Sequence, residues 1–315
     1  MNNSEQECKM NFQETNEIIG FTAAYSVIFV IGFTGNIIII QIIRYHGNMR
    51  KIAFNWLIVN MAVADILTAL VSIPMAVVYL YVETSWFDAG LFGLITCKVL
   101  FFALPLTIGI SIFTMTVIAI DRYRFTSSSI RNESLSPTKV KISIACIWLL
   151  SSFVYVTELI KFTVTKDAKC RPDWNGLWSN EKERISHLIK FILVYILPLV
   201  LMFIMYSIII VRIRKWDLPG EANEESQKRR QQQKKRSVHM MISVLVIFTL
   251  CWIPIQVFYF LNAYHQESFA CIPVFWIMLC VLIGNMNCAI NPLIYVIFIK
   301  NFRDGLREML KLKET

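Results

Sequence analysis

The stretch Asn291-Pro292-Leu293-Ile294-Tyr295 lies inside an apolar run from about Ile272 to Ile299. A proline deletes a backbone donor and kinks a helix, and hydrocarbon holds no water to repair the gap. A polar residue beside a proline within a lipid-length helix therefore marks a place built to bend, with neighbouring helices satisfying the freed carbonyls. Working outward, six more apolar blocks approach or exceed the roughly 20 residues that a bilayer crossing needs. The seven run about 18–43, 53–82, 97–120, 140–160, 187–211, 238–263 and 272–299. Hydrophobic residues make up 56% of the 315, more than ordinary soluble domains carry, and they come in blocks instead of amphipathic stripes. The fold class predicted is an all-α integral membrane protein, a seven-transmembrane helix bundle over 18–299. A polar segment, 1–17, precedes it, and a short amphipathic C-terminal helix and tail, 300–315, follow.

An odd number of spans puts the termini on opposite faces, and positive charge decides which is which. With the N-terminus extracellular, most of the 31 Lys and Arg fall inside, including Lys228-Arg229-Arg230 and Lys234-Lys235-Arg236. The prediction is a multi-pass plasma-membrane protein with an extracellular N-terminus. The net charge of +9 is then a topology signal and an attraction to inner-leaflet lipid, not a nucleic-acid footprint. Residues 1–17 lack a cleavable signal, so the first span serves as the insertion signal. In the last segment Phe302, Leu306, Met309 and Leu310 recur at helical spacing opposite basic residues, which predicts an interfacial helix on the inner leaflet.

Cys146, Cys251, Cys280 and Cys288 fall within spans and read as packing residues. Cys97 and Cys170 both face an oxidising space, which favours a bridge between them. Cys8 and Cys271 are the remaining outer pair. Four cysteines admit three pairings, so the second bridge stays open here. Asp65 is the acid in the middle of a span, a costly position that is a functional-site hypothesis by default. Its expected company is Asn36, Ser111, Asn287 and Asn291. Such oxygens suit a hard cation such as sodium, or else a protonated carboxyl in a structural network. Asp121-Arg122-Tyr123 ends the third span, and taken alone it reads as an interface anchor.

The order of these features carries more. Asn36, Asp65, Cys97, Asp121-Arg122-Tyr123, Trp148, Pro198, Tyr206, Cys251-Trp252-Ile253-Pro254 and Asn291 to Tyr295 follow one another across all seven spans. This resembles the rhodopsin-like (class A) G-protein-coupled receptors, closest in character to neuropeptide receptors, over nearly the whole chain. The resemblance implies that Arg122 turns to Asp121 at rest and to a heterotrimeric G protein when active, with Ile130 in the following loop. Trp252 and Pro254 would let the inner end of the sixth span swing outward. Tyr206 and Tyr295 would close on Arg122, with Asn291 and Pro292 at the bend. Asp65, Ser111, Asn287 and Asn291 would hold an allosteric sodium ion, and arrestin would be a further partner. Trp148 reads as packing. A ligand pocket in the outer half would draw on Leu104, Ile108, Trp174, His187 and Lys190, together with Trp252, Gln256, Tyr259 and Val281.

Three departures stand out. Lys234 lies where many relatives place an acid that pairs with the counterpart of Arg122, so that restraint is absent and raised basal activity is expected. Gly90 stands where many carry tryptophan. No cysteine follows Cys288, so a palmitate anchor is missing. Leu104 occupies the place of the acid that amine receptors require, and Asn285 that of the retinal lysine of opsins. Peptide, lipid and orphan-type receptors remain. The loop with Cys170-Arg171-Pro172-Asp173-Trp174 and Trp178 suits a peptide and is similar to that of neuropeptide receptors, which commonly forms a hairpin. The alternative ligand is a lipid or other small acidic molecule, with Lys190 as counter-ion or, instead, paired with Glu158. His46, His187, His239 and His265 lack ligand spacing, so no enzyme or metal centre is expected. The lack of internal repeats speaks against a transporter or channel.

Overall fold

The computed structural model describes residues 15–127, 135–173, 179–215, 224–265, 269 and 271–309. Seven of the described helices are long and apolar enough to cross a bilayer. They are Thr15–Tyr45, Ala53–Val82, Leu91–Ser127, Pro137–Tyr155 continued by Thr157–Lys161, Asn180–Lys190 leading through Phe191–Ile196 into Leu197–Lys215, Glu224–Tyr264, and Val274–Phe298. Below they are the first to seventh spans. The first packs on the second and seventh, the third on the second, fourth and fifth, and the sixth on the seventh. The interior is filled by side chains such as Ile42, Leu57, Ile112, Met202 and Phe248, all fully buried. The outward face is also apolar: Phe153 is 77% and Phe203 72% exposed. Water would not tolerate that surface at this length, whereas lipid covers it at no cost.

The hydropathy blocks locate all the spans, the second at both ends (Ala53–Val82), but not the starts of the third, fourth and fifth, which caps rather than apolarity set. The third span was expected from residue 97 and begins at Leu91. Asp88 starts it by accepting from the backbone N–H of Gly90 at 3.0 Å and of Gly93 at 2.8 Å. These bonds hold its carboxyl below the usual carboxylate range. The fourth span begins at Pro137, not 140, with Ser136 as N-cap. The fifth begins at Asn180, seven residues before the apolar block, with the Ser179 side chain accepting from the Lys182 N–H. At Phe191–Ile196 this span widens into a π-helix, and the Leu197 N–H reaches the Ile192 carbonyl five residues back. Pro198 follows at once and lacks the N–H that an α-helix would direct at Val194.

Between the fourth and fifth spans a hairpin pairs β1 (Phe162–Val164) antiparallel to β2 (Cys170–Pro172), with Val164 opposite Cys170. Ala168 turns it at φ 51°. A disulfide joins Cys97 to Cys170, with Cα atoms 5.9 Å apart. The loop before the third span adds to the sheet: the Cys170 N–H donates to Thr84 O and the Trp86 N–H to Ala168 O. Trp86 packs against the disulfide with Phe101 and Phe162, and its Nε1 donates to Thr96. Gly90 offers no side chain to this cluster; the tryptophan here is Trp86.

At the opposite end, Lys300–Met309 forms the short C-terminal helix. Phe302 was read as lipid-facing. It is instead fully buried, 6.0 Å from the Tyr295 ring. A Cβ at Gly305 would lie 2.7 Å from Ile42, so this helix docks on the first span. His46 Nε2 meets Glu308 at 2.8 Å. Cys8, Ile130, Trp174 and Trp178 lie outside the described residues.

Candidate functional site

At the disulfide end, the fourth span, the hairpin and the fifth span converge on four charged side chains. Glu158 is their hub. Lys190 Nζ donates to its Oε1 at 2.6 Å and to Thr157 Oγ1 at 2.7 Å. Lys161 Nζ meets its Oε2 at 2.7 Å and Glu183 Oε1 at 3.0 Å. Glu158, Lys161 and Lys190 are each about nine-tenths buried, a state that charges tolerate only when every one is paired. Lys190 is therefore a member of a neutral two-plus-two cluster, not a lone cation. His187, one turn earlier, packs edge-on against Tyr259 at 5.7 Å and Phe260 at 4.9 Å. Its buried Nε2 has no partner among the described residues. Tyr259 is 49% exposed, while Leu104, Ile108, Gln256 and Val281 are half-buried. Deeper, Trp252 is buried over Gly284, where an added Cβ would touch its ring at 3.4 Å. Arg184, unremarked in the sequence, ties the fifth span to the sixth through Ala263 O at 2.6 Å.

At mid-bundle, Asp65 is buried and accepts from Asn291 Nδ2 at 2.8 Å. Asn36 donates instead to Gly32 O and Cys288 O. No hydrogen bond joins Ser111 or Asn287 to Asp65 among the described residues, although both are buried. The buried side-chain oxygens of Asn36, Asn287 and Asn291 lack donors there. One carboxylate among orphan neutral oxygens is a donor set that suits a hard monovalent cation better than a transition metal. Nearby, Trp148 Nε1 donates to Asn60 at 2.9 Å, and Asn60 donates to Thr114 at 2.8 Å. This lacing of fourth, second and third spans gives Trp148 its packing role; the sequence pattern had not singled out Asn60 or Thr114.

At the far end Arg122 Nη2 lies 3.1 Å from Asp121. Asp121 also accepts from the Leu135 N–H at 2.6 Å, so one carboxylate holds both the arginine and the residue just before the fourth span's N-cap, Ser136. The guanidinium carbon sits 3.8 Å over the ring of Phe54, at the start of the second span. Arg212 covers Tyr123 at 4.7 Å. Tyr206 and Tyr295 are buried, and Tyr295 OH contacts Met61 Sδ at 3.3 Å. With Phe54, Met240 and Met241 they line an apolar cavity of about 20 Å³, room for about one water. Pro254 and Pro292 lie within the sixth and seventh spans.

A seven-span bundle with a disulfide-anchored hairpin at one end and a buried Asp-Arg pair at the other defines a class of membrane receptor. The profile of the 7 transmembrane receptor (rhodopsin family) matches residues 35–295, and the chain belongs to this family; it is a G-protein-coupled receptor, not an enzyme. Among curated relatives, neuropeptide FF receptor 1 of Homo sapiens is 27% identical over 96% of this chain and 73% of its own length. The substance-K receptor of Bos taurus is 31% identical over 91% of this chain and 74% of its own. That of Mesocricetus auratus is 29% identical over 80% of this chain. The alignments span between 65% and 74% of these relatives' lengths.

Proposed function

We propose that this receptor binds an extracellular peptide at the disulfide end and activates a heterotrimeric G protein at the Arg122 end, by outward movement of the sixth span. The N-terminus is extracellular in this reading. The observation that carries it is the aromatic and charged cluster at the disulfide end. His187, Tyr259 and Phe260 offer aromatic anchors beside a charge cluster that is already neutral, under a hairpin fixed by Cys97–Cys170. Aromatic and polar contacts spread over such a surface suit a peptide. Relatives named for neuropeptide FF and substance K support the same ligand class. A lipid or small acidic ligand has one argument, the lysines, but both are bonded to Glu158. Trp174 is proposed as a further aromatic anchor.

Asp65, with Asn287, Asn291 and Ser111, is the set that would hold sodium, whose positive charge would balance the carboxylate. Asp121, Arg122 and Tyr123, with Ile130, form the proposed G-protein face, and arrestin would use the same face. Inner-leaflet lipid would meet the basic C-terminal helix; no nucleic acid partner is proposed. The test is a library of peptides and lipid mediators applied to cells that express the receptor with a panel of G-protein readouts. A peptide that stimulates nucleotide exchange is expected. Activation by lipids alone would reject the peptide, and solute flux without exchange would reject signalling.

A further inference from the structure

The acid expected to restrain Arg122 from the sixth span is replaced in the sequence by Lys234, yet the guanidinium is not left loose. It is 17% exposed, and among the described residues its one carboxylate contact is Asp121 at 3.1 Å and its buried Nε has no hydrogen-bond partner. Its open face rests 3.8 Å above the Phe54 ring, well within the roughly 6 Å over which a ring quadrupole attracts a cation. Phe54 is itself 93% buried, since only 7% of its surface is exposed. It lines the same small cavity as Tyr206 and Met240. The aromatic face of Phe54 stands where an anion would otherwise be needed.

We infer that Phe54 is a positioning residue that holds Arg122 in the resting arrangement through a cation–π contact. This rests on the reading of Arg122 as the coupling residue. The restraint joins the third span to the second, so the sixth is not tethered by it. To reach a G protein, the guanidinium has to leave the ring. Weakening the ring's negative face then favours the released state, because a shift between two states follows their difference in interaction energy.

The measurement is ligand-free nucleotide exchange by purified receptor in lipid nanodiscs on a panel of G proteins, per folded receptor. Phe54→Leu is expected to raise basal exchange, on the order of tenfold for a desolvated cation–π contact. Because Phe54→Leu also alters packing, ring-fluorinated phenylalanines are placed at residue 54 as well. They keep the shape and drain the quadrupole stepwise. Exchange that rises with each added fluorine supports the inference. A flat fluorine series, or wild-type exchange in Phe54→Leu, overturns it. Arg122→Ala and the double variant separate the two readings. Loss of exchange in both keeps the coupling role intact, whereas retained exchange in Arg122→Ala rejects that role and the inference with it.

Discussion

Glu158 does more than neutralise Lys190. Each of its oxygens is taken by a different lysine, so removing it leaves buried Lys190 without a carboxylate and Lys161 with Glu183 alone. Removing Lys190 leaves Glu158 still paired with Lys161. Glu158→Gln should therefore lower the melting temperature of the purified receptor more than Lys190→Gln, with a cost of about 3–5 kcal/mol. Equal losses would show that Glu158 is not the hub. Asp65 makes a second prediction. If its orphan-oxygen surroundings hold sodium, replacing choline by sodium at equal ionic strength stabilises wild type by mass action. Asp65→Asn should remove the difference, and an indifferent wild type would reduce Asp65 to a hydrogen-bond acceptor for Asn291. The sequence made Asp65 conspicuous because a mid-span carboxylate is costly, and it set Glu158 against a ligand acid as the partner of Lys190. It was silent on Phe54 and Asn60. An aromatic or amide in an apolar helix has no cost that marks it, and only the facing residue gives it a role.

At the scale of the element, hydropathy bounded the second span to the residue, Ala53–Val82, and missed the starts of the third, fourth and fifth. Asp88, Ser136 and Ser179 are polar, so a search for apolar runs passes over the residues that begin the helices. The C-terminal helix was legible in its amphipathic spacing, but that spacing cannot distinguish lipid from the first span as the surface Phe302 faces. The hairpin depends on one covalent tie. Cys97→Ala frees β2 from the third span, and loss of such a bridge commonly costs about 2–5 kcal/mol. The expected result is a sharp fall in surface expression, read by antibody to an N-terminal tag, or in peptide binding. Normal behaviour in both would mean that the Trp86, Phe101 and Phe162 packing suffices.

Across the whole molecule, the number of spans was legible from apolar blocks and their neighbours were not, since hydropathy carries no information about which face meets which. Ordered signature residues supplied the family, and the packing of third against second span then brought Arg122 to Phe54. The winding of the fifth span has its own consequence. A π turn holds more residues than the α turn it replaces, so the span's two halves are out of phase with a uniform coil. Deleting one residue from 191–196 should let that stretch relax to an ordinary α-helix at little energetic loss to the helix itself. The two flanks would keep their phase, because the π turn held the one extra residue, whereas the same deletion within 199–205 would rotate one side by about 100° and shift it about 1.5 Å relative to the other. His187 and Lys190 lie on one side and Tyr206 on the other, so the deletion outside the π turn is the one that breaks the common phase of ligand recognition and coupling. A deletion within 191–196 should keep surface expression and peptide-stimulated exchange, one within 199–205 should lose the exchange, and equal losses from both would show that the π turn does not absorb the extra residue. In this span the count of residues, independent of their identity, is information that the receptor uses.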